Sequence, residues 1–290
     1  MAAASMSANE KTPSVKSRKN AAFASSPPSG GAKQDQPLYL VTNGPVAELV
    51  LNRPDARNAM TRAMWRALPG LIGEVQNDKN IRVLMVHGGN TGAFCAGADI
   101  HELGQMQGRP GEALRFHDEM GAALATLSAF PGPVFARVHG PCIGAGLALA
   151  LACDVRFAAT TARFGVTPAK LGLTYPLADT ARLVALIGPG RAKDLLFSAR
   201  LIAAEEALRI GLIEHVVPDV DLLEFTDNTA RRVSALSART QRCMKAMINS
   251  LSAPDAEQAR VDFSTLFGEP DFAEGLAAFA QKRKADFTGG

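Results

Sequence analysis

The sequence predicts an α/β fold in which a largely parallel sheet with crossover helices is followed by a helical C-terminal part. Three observations carry this. Short apolar runs alternate with helix-spaced apolar stripes up to about residue 217. From Asp219 on, only helical spacing recurs, over Val220–Leu236, Ala238–Leu251, Asp255–Phe267 and Asp271–Arg283. Between them, the stretch FARVHGPCIGAGLALALACDVRFA (Phe135 to Ala158) holds a strand, a turn of small residues, an unbroken apolar helix and a second strand.

The elements follow in chain order. Residues 1–36 are rich in Ala, Ser, Pro, Gly and Lys and have no periodicity, so a disordered tail is expected. The tail is basic and Ser-rich like a transit peptide but lacks an Arg-rich amphipathic pattern, which favours a plain tail. Leu38–Thr42 and Val46–Leu51 read as a hairpin around Asn43-Gly44, and Asn52-Arg53-Pro54-Asp55 as a turn. Thr61 reads as the cap of a helix to about Gln76, with apolar positions Met64, Leu68, Leu71, Ile72 and Val75. Ile81–His87 is a buried strand ending in Gly88-Gly89-Asn90, and Gly111–Phe130 is a helix stopped by Pro131-Gly132-Pro133. Val134–Val138 and Val155–Ala159 are strands, with His139 shaping the turn after the first. Asp179 reads as the N-cap of a helix over Thr180–Ile187.

Composition narrows the function. The 290 residues suffice for one large α/β domain or a core plus an appendage. The net charge of +3 is too small to argue for nucleic acid, and residues 1–34 alone carry +4, which leaves −1 for the rest. Cys95, Cys142, Cys153 and Cys243 show no metal-ligand spacing, so reduced thiols in an intracellular protein and no metal are expected. No apolar stretch is long enough to predict a membrane span.

The central stretch carries a chemical implication. A strand, a small-residue turn and an apolar helix leave backbone N–H groups free at the helix start, aligned with the helix dipole. Such donors suit an anion or an oxygen gaining negative charge. The plainer alternative is a buried helix whose small residues allow close packing.

Several motifs stand in order along the chain: Leu51-Asn52-Arg53-Pro54-Asp55-Ala56-Arg57-Asn58-Ala59, then Phe94-Cys95-Ala96-Gly97-Ala98-Asp99-Ile100, then Gly140 to Gly146 with Cys153-Asp154, then Ala207 to Ile213, and last Glu274-Gly275 with Lys282-Arg283. Together they resemble the enoyl-CoA hydratase/isomerase (crotonase) family from about residue 38 to the C-terminus. The resemblance implies a crotonase-like α/β core of ββα units over residues 37–218. It implies a helical trimerisation region over 219–290, and assembly as a homotrimer or hexamer. It also implies an acyl-CoA substrate, with coenzyme A entering as part of that substrate and no separate cofactor, no nucleic acid and no membrane partner. The expected location is the cytoplasm, with mitochondria the alternative if the tail is a targeting segment.

Carried over residue by residue, the resemblance assigns two backbone N–H donors to the thioester oxygen, those of Ala98 and Ala145. The second position is usually Gly in the family, and the Ala145 methyl narrows the pocket. Coenzyme A is placed along Arg57, Ala59, Ala96, Asp99 and Ile100, with Lys282 at a phosphate. For Arg57 and Lys282 the plain alternative is a solvated surface charge.

The pattern breaks at the acid and base. The two glutamates that hydratases of the family use fall on Ala148 and Pro168, neither of which transfers a proton. The loop Phe164–Pro176 instead looks like the methylmalonyl-CoA decarboxylase branch, so Thr167 and Tyr175 become the site candidates. A Tyr hydroxyl can orient a carboxylate or return a proton; the alternative is a buried ring with a bonded hydroxyl. His101, His117, Asp118 and Glu119 are further acid/base candidates. The expected function is an acyl-CoA thioester lyase working through a stabilised enolate, with decarboxylase-like chemistry fitting the loop. The alternatives are a hydratase or isomerase with other acid/base residues, and a non-catalytic acyl-CoA binder.

Overall fold

The computed structural model describes residues 36–89, 91–251 and 269–287. The expected tail and the expected helix Asp255–Phe267 lie outside these, apart from Gln36. The hairpin forms as read, with β1 (Leu38–Asn43) antiparallel to β2 (Val46–Leu51). The remaining members of the main sheet, β3 (Val83–His87), β4 (Val134–Val138), β6 (Val155–Ala159) and β9 (His215–Val217), add in parallel in the order β1-β2-β3-β4-β6-β9. Parallel strands need crossovers, and α1 (Arg62–Asn77) and α3 (Pro110–Ser128) supply two of them. Helix α1 is capped by the Thr61 hydroxyl, which accepts the Met64 N–H, and it buries Met64, Trp65, Leu68, Ile72 and Val75.

A second, smaller sheet had no counterpart in the sequence reading. It joins β5 (Pro141–Ile143), β7 (Arg163–Gly165) and β8 (Leu201–Ala203). Pro141, two residues past His139, begins β5. The short helix α2 (Ile100–Gln105) was also not anticipated; Asp99 caps it by accepting the His101 and Glu102 N–H groups. Helix α4 (Ala145–Leu151) is buried from Gly146 to Leu151, in keeping with its apolar run.

Helix α5 (Leu177–Ser198) corrects the reading of Asp179. The chain turns into it at Pro176, whose carbonyl accepts the Thr180 N–H, so Asp179 lies inside the first turn rather than at the cap. Gly188 leaves helical φ and ψ and divides α5 in two. Asp179, Leu183 and Ile187 form its buried stripe, and α5 packs on α4. After α6 (Ala204–Ile210) and β9, the described chain is helical: α7 (Leu222–Ser234), α8 (Ala238–Asn249) and α9 (Pro270–Gln281). None of the described helices is long and apolar enough to cross a membrane.

Candidate active site

The site is built where two pieces of backbone meet. The segment Phe94–Asp99 leaves the main sheet and runs beside β5: the Cys95 N–H bonds the Pro141 carbonyl at 2.9 Å, and the Ile143 N–H bonds the Cys95 carbonyl at 3.0 Å. On its other side Met60 pairs with this segment, donating to the Gly97 carbonyl at 2.8 Å and accepting the Asp99 N–H at 2.9 Å. In such a ladder alternate residues face opposite edges, so the N–H of Ala98 points away from Met60. Ala145 is the first residue of α4 and so has no helical acceptor. Among the described residues neither N–H has a hydrogen-bond acceptor.

Two glycines permit this approach. Gly144, at φ 55° and ψ −116°, turns the chain from β5 into α4 through a region that side chains disfavour. Gly146 packs against the backbone of Cys95 so closely that a methyl group there would sit 2.3 Å from the Cys95 carbonyl oxygen. The start of α4 is therefore pressed onto the segment bearing Ala98. Two rigid N–H donors on adjoining backbone can hold an oxygen as its negative charge develops, each worth typically ~3 kcal/mol to a transition state.

The residues expected to line the coenzyme gather beside this feature, with one exception. The Ala96 N–H bonds the Arg57 carbonyl at 3.0 Å, which sets Arg57 and Ala59 along the same segment. Arg57 is exposed and left-handed at φ 49°, and Ile100 is 54% exposed at the start of α2. Asp99 is in place, but its carboxylate is engaged: it caps α2 and pairs with Arg53 at 2.9 Å. Burial opposes that charge, yet the Arg53 guanidinium and the two capping N–H groups outweigh it and hold the carboxyl below its usual range. Lys282 stands exposed past the end of α9, and no hydrogen bond or ion pair among the described residues ties it to the others.

In the loop expected to face the acyl group, Tyr175 packs against the core and its hydroxyl donates to the Gly144 carbonyl at 3.2 Å. Burial, and then the nearby Asp179 charge, push its pKa well above the ordinary value. Thr167 is half-buried before a 3-10 turn over Pro168–Leu171, and its carbonyl accepts the Lys170 N–H. Ala148 is wholly buried in α4. Of the other candidates, Glu119 is held by Arg62 at 2.6 Å and Arg66 at 2.8 Å, which lowers its pKa and removes it as a base. His117 and Asp118 pair with one another on the exposed face of α3, and His101 is exposed on α2.

Two positions were not among the site residues read from the sequence. Asn58, fully buried, accepts the Arg53 N–H at 2.8 Å, and its amide donates to Ala93 and Thr91 at 2.7 Å. It thereby locks the Arg53–Met60 turn to the loop that leads into Ala98. An Asn beside an Arg in a Pro-containing turn was the available signal, since Asn tolerates the left-handed backbone that the structure shows there. Asp179 is the other; it is 2% exposed, and one carboxylate oxygen bonds Arg182 at 2.8 Å.

A paired backbone cradle at the start of an apolar helix is a site that can hold an oxygen as it gains negative charge. The chain belongs to the enoyl-CoA hydratase/isomerase family: the family profile matches residues 41–290, and the fold is the crotonase fold. Among its relatives, a short-chain-enoyl-CoA hydratase of Clostridium acetobutylicum is 34% identical over 86% of this chain and 96% of its own. A crotonyl-CoA hydratase of Syntrophomonas wolfei is 35% identical over 83% of this chain and 94% of its own. The crystal structure of an enoyl-CoA hydratase/carnithine racemase from Magnetospirillum magneticum superposes with a TM-score of 0.85 at 35% identity, covering 88% of this chain and 96% of that one.

Proposed function

We propose that this chain is an enzyme that binds an acyl-CoA thioester and stabilises its enolate between the N–H groups of Ala98 and Ala145, without the two-glutamate addition of water. The single observation that carries the reading is that both N–H groups are free while the backbones bearing them are locked together at Gly146. Arg57, Ala59, Ala96 and Ile100 line the coenzyme's path beside that cradle, and Lys282 meets a phosphate. Asp99 serves by fixing α2. Ala148 and Pro168 offer no proton, which turns the chemistry towards decarboxylation of a malonyl-type thioester, in which loss of carbon dioxide forms the enolate without a base, with Thr167 and Tyr175 beside the acyl group; migration of a double bond passes through the same enolate but needs a proton carrier elsewhere in the site.

The names of the relatives favour a second reading, hydration with other acid/base residues. A panel of malonyl-, methylmalonyl-, crotonyl- and longer enoyl-CoA thioesters, followed by mass spectrometry, separates the two. Loss of carbon dioxide or a shifted double bond supports the enolate reading, and a gain of water supports hydration. Absence of all turnover with acetyl-CoA still bound would leave a non-catalytic binder. The helical C-terminal part supports assembly into a trimer or hexamer, and light scattering that gives a monomer or dimer would refute it. The cytoplasm is the proposed location. Should cell fractionation find the protein in mitochondria lacking residues 1–36, the tail is a targeting segment.

A further inference from the structure

We infer that Asp179 is the carboxyl that carries the proton to and from the carbon beside the thioester, in place of the glutamates absent at positions 148 and 168. The inference rests on the enolate reading above and deepens it. Asp179 opens the buried stripe Asp179-Leu183-Ile187 with which α5 faces the core, and α5 packs on α4. The N-terminal ends of these two helices are fastened together, because Tyr175, four residues before Asp179, bonds Gly144, one residue before Ala145. A carboxyl one turn into α5 therefore lies towards the end of α4 that carries Ala145, with Ala148 one turn further along α4.

The surroundings of the carboxyl fit this role. One oxygen bonds the Arg182 guanidinium; among the described residues the other has no donor, although the residue is 2% exposed. The fully buried side-chain polar atoms without a partner among the described residues are Trp65 Nε1 and Gln241 Oε1, so this Asp179 oxygen keeps a small solvent-exposed area, by which a proton or a ligand can reach it. The charged and titratable groups around it are Arg182 on α5, Tyr175 on the preceding loop and His117 on α3; Cys142 on β5 adjoins Tyr175. Burial raises the Asp179 pKa, against the pull of Arg182 and His117, so the group exchanges protons nearer neutrality than an ordinary Asp.

The step balances within the site. The Asp179 carboxylate takes a proton from the carbon beside the carbonyl. The C–H electron pair becomes the enolate double bond, and the carbonyl oxygen takes the charge against Ala98 and Ala145. The Asp179 acid then returns the proton to the same carbon or, in an unsaturated chain, to the carbon two further on. After loss of carbon dioxide, the same acid protonates the enolate directly. No oxidant or further reactant enters.

The test uses the full-length protein with butyryl-CoA in deuterium oxide, reading deuterium at the acyl chain by mass spectrometry. Wild type should exchange, and Asp179→Asn should exchange about 100-fold or more slowly with acetyl-CoA affinity and melting temperature nearly unchanged. Exchange by Asp179→Asn at the wild-type rate overturns the inference and leaves the enolate reading standing. No exchange by wild type overturns both. Should Asp179→Asn not fold, the pH profile of wild-type exchange decides. A rate rising with pH through one ionisation above the ordinary carboxylate range supports the inference, and a flat profile overturns it.

Discussion

The Tyr175 hydroxyl donates to the carbonyl of Gly144, 3.2 Å away, so the loop ending at Pro176 is tied to the peptide unit that carries the free N–H of Ala145. Burial pushes the Tyr175 pKa well above the ordinary value, which favours the neutral hydroxyl that donates this bond. Tyr175→Phe keeps the ring and frees the Gly144–Ala145 peptide. Turnover on the substrate found by the panel should fall by ~100-fold, with acetyl-CoA affinity unchanged and a stability loss of about 1 kcal/mol. A lower melting temperature with turnover intact would make the hydroxyl purely a packing group.

Gly146→Ala puts a methyl group 2.3 Å from the Cys95 carbonyl and 2.8 Å from its Cβ, both in a fully buried residue. The start of α4 must move away from the segment bearing Ala98. Thermal unfolding should show a loss of ~1–3 kcal/mol, and turnover should fall further than coenzyme affinity. Equal losses of the two would argue that the cradle does not act on the acyl group.

The Arg53–Asp99 pair makes stability depend on pH in a defined direction. Burial works against the carboxylate, but Arg53 and the capping N–H groups of Glu102 and His101 leave its folded pKa below the usual value of about 3.9. The pair's contribution is therefore present above that value and is lost as the pH falls through the folded pKa. Melting temperatures of wild type and Asp99→Asn should differ at pH 7 and converge in strong acid. A constant difference down to the lowest pH would remove the carboxylate from the account.

Crotonyl-CoA hydration should be slow or absent, because Ala148 and Pro168 hold no proton. Loss of the conjugated thioester's absorbance is the readout. A rate on the order of 10 per second would bring the hydration reading forward.

Lys282→Ala should weaken acetyl-CoA binding, and the difference from wild type should shrink with added salt, as for an exposed charge meeting a phosphate. Calorimetry at two ionic strengths checks it; equal affinities would return Lys282 to the solvated surface.

The sequence made the long elements legible and the short ones not. Val134–Val138 and Val155–Ala159 were readable because four of the five residues in each are apolar or small, broken only by Arg137 and Arg156, and a short run of that kind between turn signals suffices for a buried strand. The strands β5, β7 and β8 have three residues each, too few for any periodicity, and their pairing is set from a distance by Cys95 and Gly144. Resemblance singled out the N–H groups of Ala98 and Ala145, whereas the Met60 pairing that leaves the first of them without an acceptor was not legible. Asp179 was misplaced because an Asp before a Thr resembles a cap, while Pro176 had already started the helix. Its burial beside Arg182 is a tertiary fact that the local sequence does not encode.

Ala98 and Ala145 would contribute main-chain atoms only, which has a practical consequence for mutagenesis. An alanine scan passes over both positions, since each is alanine already, and would record the centre of the site as silent. It would instead mark Asn58 and Arg53, residues that set the framework. Only replacements that remove an amide proton, such as proline or an ester linkage at position 98 or 145, would report on the donors themselves.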